Sequence, residues 1–157
     1  MAKIDAALNW MYQRKGKVTY SMINRWGPSS YDCSSAVYFA LKYAGMLPAN
    51  TAIGNTDSLF GSLERAGWTQ VRADASGNIP ARRGDVFIWG VRGASSGASG
   101  HTGFFCDDLD NIIHCNYGYN GITVNPHDVI WGYNGRPAVT IYRPPAEGPS
   151  ADEAYRD

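Results

Sequence analysis

The sequence predicts an α+β domain, with helices first and an antiparallel β-sheet after them. Two observations carry that prediction. Up to Gly67 the apolar residues recur at helical spacing. Beyond Gly67 the period falls toward two, in runs rich in β-branched and aromatic residues that alternate with Gly, Asn and Asp clusters. Helices grouped ahead of strands point to helices packed on an antiparallel sheet of about five or six strands.

Ile4, Ala7, Leu8 and Met11 share one helical face, so a first helix is expected over residues 4–14, stopped near Gly16. The segment 24–31, NRWGPSSY, is turn-rich and hands Asp32 to a second apolar pattern of Ala36, Val37, Ala40, Leu41 and Ala44, closed by Gly45. Asp32 is a favourable N-cap, which starts this helix at Cys33. A third helix fits residues 57–66, with Leu59, Phe60 and Leu63 inward and Gly67 just past its end. Strands are expected at 85–89, 101–106, 111–116, 122–124 and 138–142, with turn chemistry such as Asn120-Gly121 between them.

The chain has 157 residues, with 14 Lys+Arg against 14 Asp+Glu and a formal charge of zero. That balance excludes a nucleic-acid binder working by bulk electrostatics, which needs a surplus of cations to displace condensed counterions. An apolar share of 44% supplies one core, so one domain is expected over residues 1–143. The remainder, 144–157 (PPAEGPSADEAYRD), is rich in Pro, Ala and acidic groups and reads as a linker or tail. No apolar run approaches the roughly 20 residues that span a bilayer. Charges are scattered through residues 1–17, where a signal peptide would carry an uninterrupted apolar stretch. The expected product is a soluble monomer made in the cytoplasm, with no membrane and no nucleic-acid partner. Three cysteines are an odd number, so at least one thiol stays free or pairs between chains.

Cys33 is the most informative of them, because it opens a helix whose amide dipoles point at its sulfur and favour a thiolate. A free thiol titrates near pH 8.5, and depressing it by about 4 units takes roughly 5.5 kcal/mol, whereas a helix terminus supplies at most about 2 kcal/mol. A cationic partner has to supply the rest, and the chain holds three histidines, His101, His114 and His127. If Cys106 pairs with Asn111 across the turn between the strands at 101–106 and 111–116, His101 faces Asn116 and His114 faces Gly103. Residues 101, 103, 114 and 116 then share one face of the sheet. Either His114, diagonal to His101, or Asn116, opposite it, can orient that imidazole. A one-residue slip would undo this geometry. A Cys at a helix start, with a His and a polar orienter on adjacent strands, is the arrangement of a cysteine hydrolase.

Four blocks make the signal specific: VTYSMINRWGPSSYDCSSAVYFALKYAG, RRGDVFIWG, SGHTGFF and NIIHCNYGYNGITV. In order and spacing they resemble the NlpC-type papain-like peptidoglycan hydrolases, above all their phage endolysin branch, which holds Pal-like amidases and γ-D-glutamyl endopeptidases. The match runs from about residue 2 to residue 143. The resemblance implies an NlpC-type papain-like fold that needs no cofactor and no metal, with Cys33 as nucleophile, His101 as base and His114 as the third polar residue. It also implies that Tyr20 is the family tyrosine near the nucleophile, a candidate oxyanion donor, and that Asp32 and Ser34 line the substrate site. Asn116 and Trp89 complete the candidate substrate-binding residues. The implied reaction is acyl transfer through a thioester on an amide of the peptidoglycan stem. The γ-D-glutamyl bond to lysine or diaminopimelate comes first, and the muramoyl-L-alanine amide is the alternative. The resemblance further implies a protein that waits in the host cytoplasm until the membrane is opened, and it leaves room for a wall-binding module beyond this chain.

Blander readings apply elsewhere. Cys106 and Cys115 read as buried thiols, and His127 as a surface or turn histidine. Asp107, Asp108, Asp110 and Asn111 read as a polar hairpin turn rather than a calcium loop. A zinc amidase using His101, His114 and Cys106 or Cys115 leaves the Asp32-Cys33 helix start unexplained. Trp89, Tyr117, Tyr119, Trp131 and Tyr133 are candidates to line a groove for glycan or stem peptide. A non-catalytic wall-binding module and an acyltransferase on the same scaffold are the remaining functional alternatives.

Overall fold

The computed structural model describes residues 2–147. The expected helices form close to their expected bounds. Helix α1 (Lys3–Arg14) buries Ala7, Leu8, Trp10 and Met11. The short strands β1 (Thr19–Tyr20) and β2 (Ser30–Tyr31) pair in parallel and lead into α2 (Cys33–Tyr43). That helix starts at Cys33 because Asp32 closes a capping box: its Oδ1 accepts the Ser35 N–H at 2.9 Å, while the Ser35 hydroxyl accepts the Asp32 N–H at 3.0 Å. Helix α3 (Thr56–Arg65) is closed in the same way by Asn55 and Ser58, so it starts one residue earlier than expected.

The sheet has six strands, all neighbours antiparallel: β3 (Thr69–Gln70), β8 (Val139–Arg143), β4 (Val86–Trp89), β5 (His101–Phe105), β6 (Asn111–Asn116) and β7 (Gly121–Pro126), in that spatial order. The β4 run VFIW is buried throughout because both faces of the sheet are covered. Val86 and Ile88 join the core formed with α1, α2 and α3. Phe87 and Trp89 join Phe105, Ile112 and Ile141 on the other face, against Ile130 and Trp131. The expected hairpin register holds, with Phe104 opposite Ile113 and Phe105 opposite Ile112.

The two-residue strands β1, β2 and β3 were not expected, since two residues are too few to show an alternation. Helix α4 (His127–Tyr133) was also not expected, and it corrects the reading of His127 as a surface or turn residue. The cause is the hairpin turn at 107–110, a polar turn as expected. Asp107 accepts the N–H groups of Leu109 and Asn111, and Asp110 turns outward with φ +72°. Asp110 then accepts the His127 N–H on its carbonyl at 2.7 Å and the Asp128 N–H on its carboxylate at 2.9 Å. These bonds satisfy the first amides of α4 and draw His127 into a cage of Phe87, Trp89, Phe105 and Trp131. Strand β8 ends at Arg143; residues 148–157 of the expected tail lie outside the described residues. No helix among the described residues is long and apolar enough to cross a membrane.

Candidate active site

Cys33 is the first residue of α2 and is 5% exposed. Its sulfur lies 3.6 Å from the Thr56 hydroxyl, and the backbone N–H groups of Thr102 and Ser34 also reach it. Thr102 follows His101 in β5, so the strand that carries the imidazole passes beside the sulfur. Burial pushes the Cys33 thiol up; the Thr56 hydroxyl opposes that shift, Asp32 adds to it, and the Thr102 and Ser34 amides pull it down.

The His101 ring packs on Phe87 and Trp89, and its Nε2 meets His114 Nδ1 at 2.8 Å. The arrangement depends on Gly103, opposite His114, where a Cβ would fall 2.7 Å from His114 Cβ. Proton placement on the two rings follows from bonds to the main chain. Asn116 Nδ2 donates to the carbonyls of His114 and Gly121 and to the Thr123 hydroxyl, and Asn116 Oδ1 accepts the Tyr119 N–H. The Thr123 hydroxyl must then donate to Asn125 Oδ1, at 2.6 Å, and the same oxygen accepts the proton on His114 Nε2 at 2.9 Å. His114 Nδ1 is thereby a bare acceptor, His101 carries its proton on Nε2, and His101 Nδ1 is left free to take a proton. His114, not Asn116, contacts His101. Asn116 bonds the His114 carbonyl and the Thr123 hydroxyl behind it, and the chain ends on Asn125, which sequence reasoning missed. Its signal was present: in β7 Asn125 stands two residues from Thr123, the partner of His114 in the ladder, and therefore on the same face.

Burial, then the neighbouring histidines, hold His101 well below the usual histidine range, and burial holds His114 down to about 4. These directions correct the expectation of a standing thiolate–imidazolium pair, because they favour a neutral thiol and a neutral imidazole in the substrate-free site. They also set an acid limit on stability. An unfolded histidine takes up its proton near pH 6.5, whereas folded His114 holds off until about 4, so the unfolded state binds more protons in that window. Stability is complete above about pH 6.5 and is lost as the pH falls toward 4, by about 3 kcal/mol from His114 alone. Urea midpoints at pH 7, 5.5 and 4 should fall steadily, and less steeply in His114→Gln; a midpoint independent of pH would contradict this account.

A groove of about 930 Å³ opens over the histidines. Its walls include Tyr20, Met22, Trp89, the loop 97–100, Asn116, Tyr117, Tyr119, Ile130 and Tyr133. Among the described residues that line it there is no Lys, Arg, Asp or Glu. Trp131 is absent from this wall, contrary to expectation, because its indole N–H donates to the Pro137 carbonyl and its ring stacks on His127. Asp32 and Ser34 lie outside the groove lining, as does the buried Cys33 between them. Asp32 and Ser34 both bond Arg25, whose Nε meets Asp32 Oδ2 at 2.9 Å and whose Nη2 donates to the Ser34 hydroxyl at 3.0 Å. Their geometry is that of builders of the helix start rather than of substrate ligands. Tyr20 lies where burial and the nearby Cys33 raise its hydroxyl pKa, and its ring meets Tyr117 edge-on.

The zinc alternative fails on its donors. Cys106 Sγ donates to the Asn111 carbonyl and Cys115 Sγ to the Tyr31 carbonyl, while the two imidazoles bond each other. Asp110, His127 and Asp128 do converge. However, Trp89 Nε1–H donates to His127 Nε2 at 2.9 Å, which places the ring's proton on Nδ1, facing Asp128 at 2.9 Å. That nitrogen has no lone pair to offer a cation.

Comparison with known proteins bears on the family and the fold. A family model described as bacteriophage peptidoglycan hydrolase matches residues 3–151. A lysin of Pneumococcus phage Dp-1 is 51% identical over 140 residues, which cover 89% of this chain and 46% of that protein, so the chain spans about half the length of the relative. Among solved structures, an N-acetylmuramoyl-L-alanine amidase from Bacteroides uniformis is similar with a TM-score of 0.58 at 10% identity, covering 90% of this chain and 98% of that one. NlpC1 from Trichomonas vaginalis is similar with a TM-score of 0.53 at 18% identity, covering 90% and 43% of the two chains. At these identities the two structures speak for the fold alone.

Proposed function

Because this chain belongs to the bacteriophage peptidoglycan hydrolases, as an NlpC-type endolysin domain, we propose that it cuts an amide of the peptidoglycan stem with Cys33 as nucleophile and His101 as base. The observation that carries the reading is the meeting of the α2 start with β5: the Cys33 sulfur is touched by the amide next to His101, and the His101 ring is oriented by His114 and Asn125. As the sulfur attacks the carbonyl, His101 Nδ1 takes the thiol proton and then delivers it to the leaving amine. A water that gives its proton to the same nitrogen releases the acyl group from the thioester. The Cys33 N–H, the first amide of α2, faces no carbonyl within its helix, and with Tyr20 it is the candidate donor to the oxyanion.

The uncharged groove supports one of the two amides over the other. A γ-D-glutamyl bond lies beside the α-carboxyl group of its glutamate and a diamino acid, and charges buried without partners are costly. The muramoyl-L-alanine bond lies between a sugar's lactyl ether and a methyl group, neutral neighbours that suit a wall of Tyr117, Tyr119 and Tyr133. This puts the amidase ahead of the endopeptidase and reverses the order expected from sequence. Mass spectrometry of fragments released from purified wall should find new free L-alanine amines. New lysine or diaminopimelate amines would restore the endopeptidase, and binding without soluble fragments would leave only a wall-binding module.

A further inference from the structure

Thr56 has no part in the reaction described so far, yet its position is unusual. It is the first residue of α3, only 2% exposed, and its hydroxyl meets the Cys33 sulfur at 3.6 Å. The work of closing the helix falls to Asn55 and Ser58, which leaves the Thr56 hydroxyl to the sulfur. A buried hydroxyl is costly unless it is bonded, so an apolar residue would serve better here if packing were its only task. The first turn of α3 also holds the entry to β5. Asp57 accepts the N–H groups of Gly93 and Ser95, and a Cβ added at Gly100 would lie 2.9 Å from Thr56 Cγ2.

We propose that Thr56 is a positioning residue of the reaction: its hydroxyl holds the Cys33 sulfur in place and donates a hydrogen bond to it once the thiol proton has passed to His101. A hydroxyl suits both states, since it accepts from S–H and, after a rotation about its C–O bond, donates to S⁻. No atom enters or leaves; one proton moves from sulfur to His101 Nδ1, and the Thr56 proton turns toward the sulfur. The inference rests on Cys33 as the nucleophile.

The test is alkylation of Cys33 by iodoacetamide across pH 6–11, read at the Cys33 peptide by mass spectrometry, in the parent, Thr56→Val and Thr56→Ser. The titratable groups that interact with the sulfur are Tyr20 from β1, Asp32 before α2 and Cys115 from β6, and these, like His101 in β5, are unchanged in these variants. Thr56→Val should slow alkylation about tenfold at pH 8 and shift its profile to higher pH, and should lower kcat on purified wall about 10- to 100-fold with KM unchanged. Thr56→Ser should stay near the parent. A Thr56→Val profile superimposed on the parent's, or Ser slowed as much as Val, would overturn the proposal. If Thr56→Val does not fold, Thr56→Ala takes its place under the same criteria. Alkylation needs no peptidoglycan, so a hydroxyl effect on alkylation without wall cleavage would defeat the enzymatic reading and not this contact.

Discussion

Cys33→Ala is expected to abolish the clearing of a cell-wall suspension, with a loss on the order of 10⁴-fold or more, while thermal unfolding stays close to that of the parent. The size follows from the chemistry. Without the sulfur no thioester forms, and His101 has no thiol proton to take. What survives is binding in the groove and polarisation of the carbonyl at the α2 start, which in other hydrolases leaves only a small residual rate. Stability should hold because Cys33 lies at the helix end, and the cap is made by Asp32 and Ser35 rather than by the thiol. Cys106→Ala and Cys115→Ala serve as controls, since those thiols bond the Asn111 and Tyr31 carbonyls and do not open a helix. Lysis that survives in folded Cys33→Ala would sink the thiol mechanism outright.

The second large effect is expected at Asn125, which does not line the groove. Asn125→Leu removes the acceptor that keeps the His114 proton on Nε2. The proton can then settle on Nδ1, where it opposes the Nε2–H of His101 and drives His101 into the tautomer whose Nδ1 is already protonated. A base in the wrong tautomer cannot accept the thiol proton, and kcat should fall about 10³-fold with little change in KM. Asn125→Asp keeps an acceptor at the same point and should retain most of the rate. Its carboxylate favours protonated imidazoles, so the acid limb of kcat/KM should move to higher pH. Equal losses in Leu and Asp, or none in Leu, would show that Asn125 does not set the tautomer.

The elements nearest the chemistry were legible because local signals agreed there. The apolar stripe, the Asp32 cap and Gly45 all fix α2 with Cys33 at its start, and the alternating strands with their polar turn fix the register that brings His101 and His114 to one face. What escaped depends on tertiary contact. Helix α4 exists because Asp110, seventeen residues upstream in sequence, supplies its missing acceptors. Asp32 looked like a substrate ligand because sequence does not show that Arg25, seven residues away, occupies its other oxygen. The protonation of Cys33 and His101 was misjudged for a related reason. Helix dipoles can be read from sequence, whereas the desolvation that opposes them depends on how completely the site is enclosed.

The bonds from Asp110 to the first turn of α4 carry one more implication. They join the tip of the hairpin bearing both histidines to the helix that supplies Ile130 and Tyr133, and the His127–Trp89 bond fastens the same helix to the sheet beneath. Bank and base on that side are thus tied together by side-chain hydrogen bonds as well as by the chain. The glycine-rich stretch before His101, which also lines the groove, is held instead by the Asp57 carboxylate and, at its start, by the exposed Arg92–Glu64 pair.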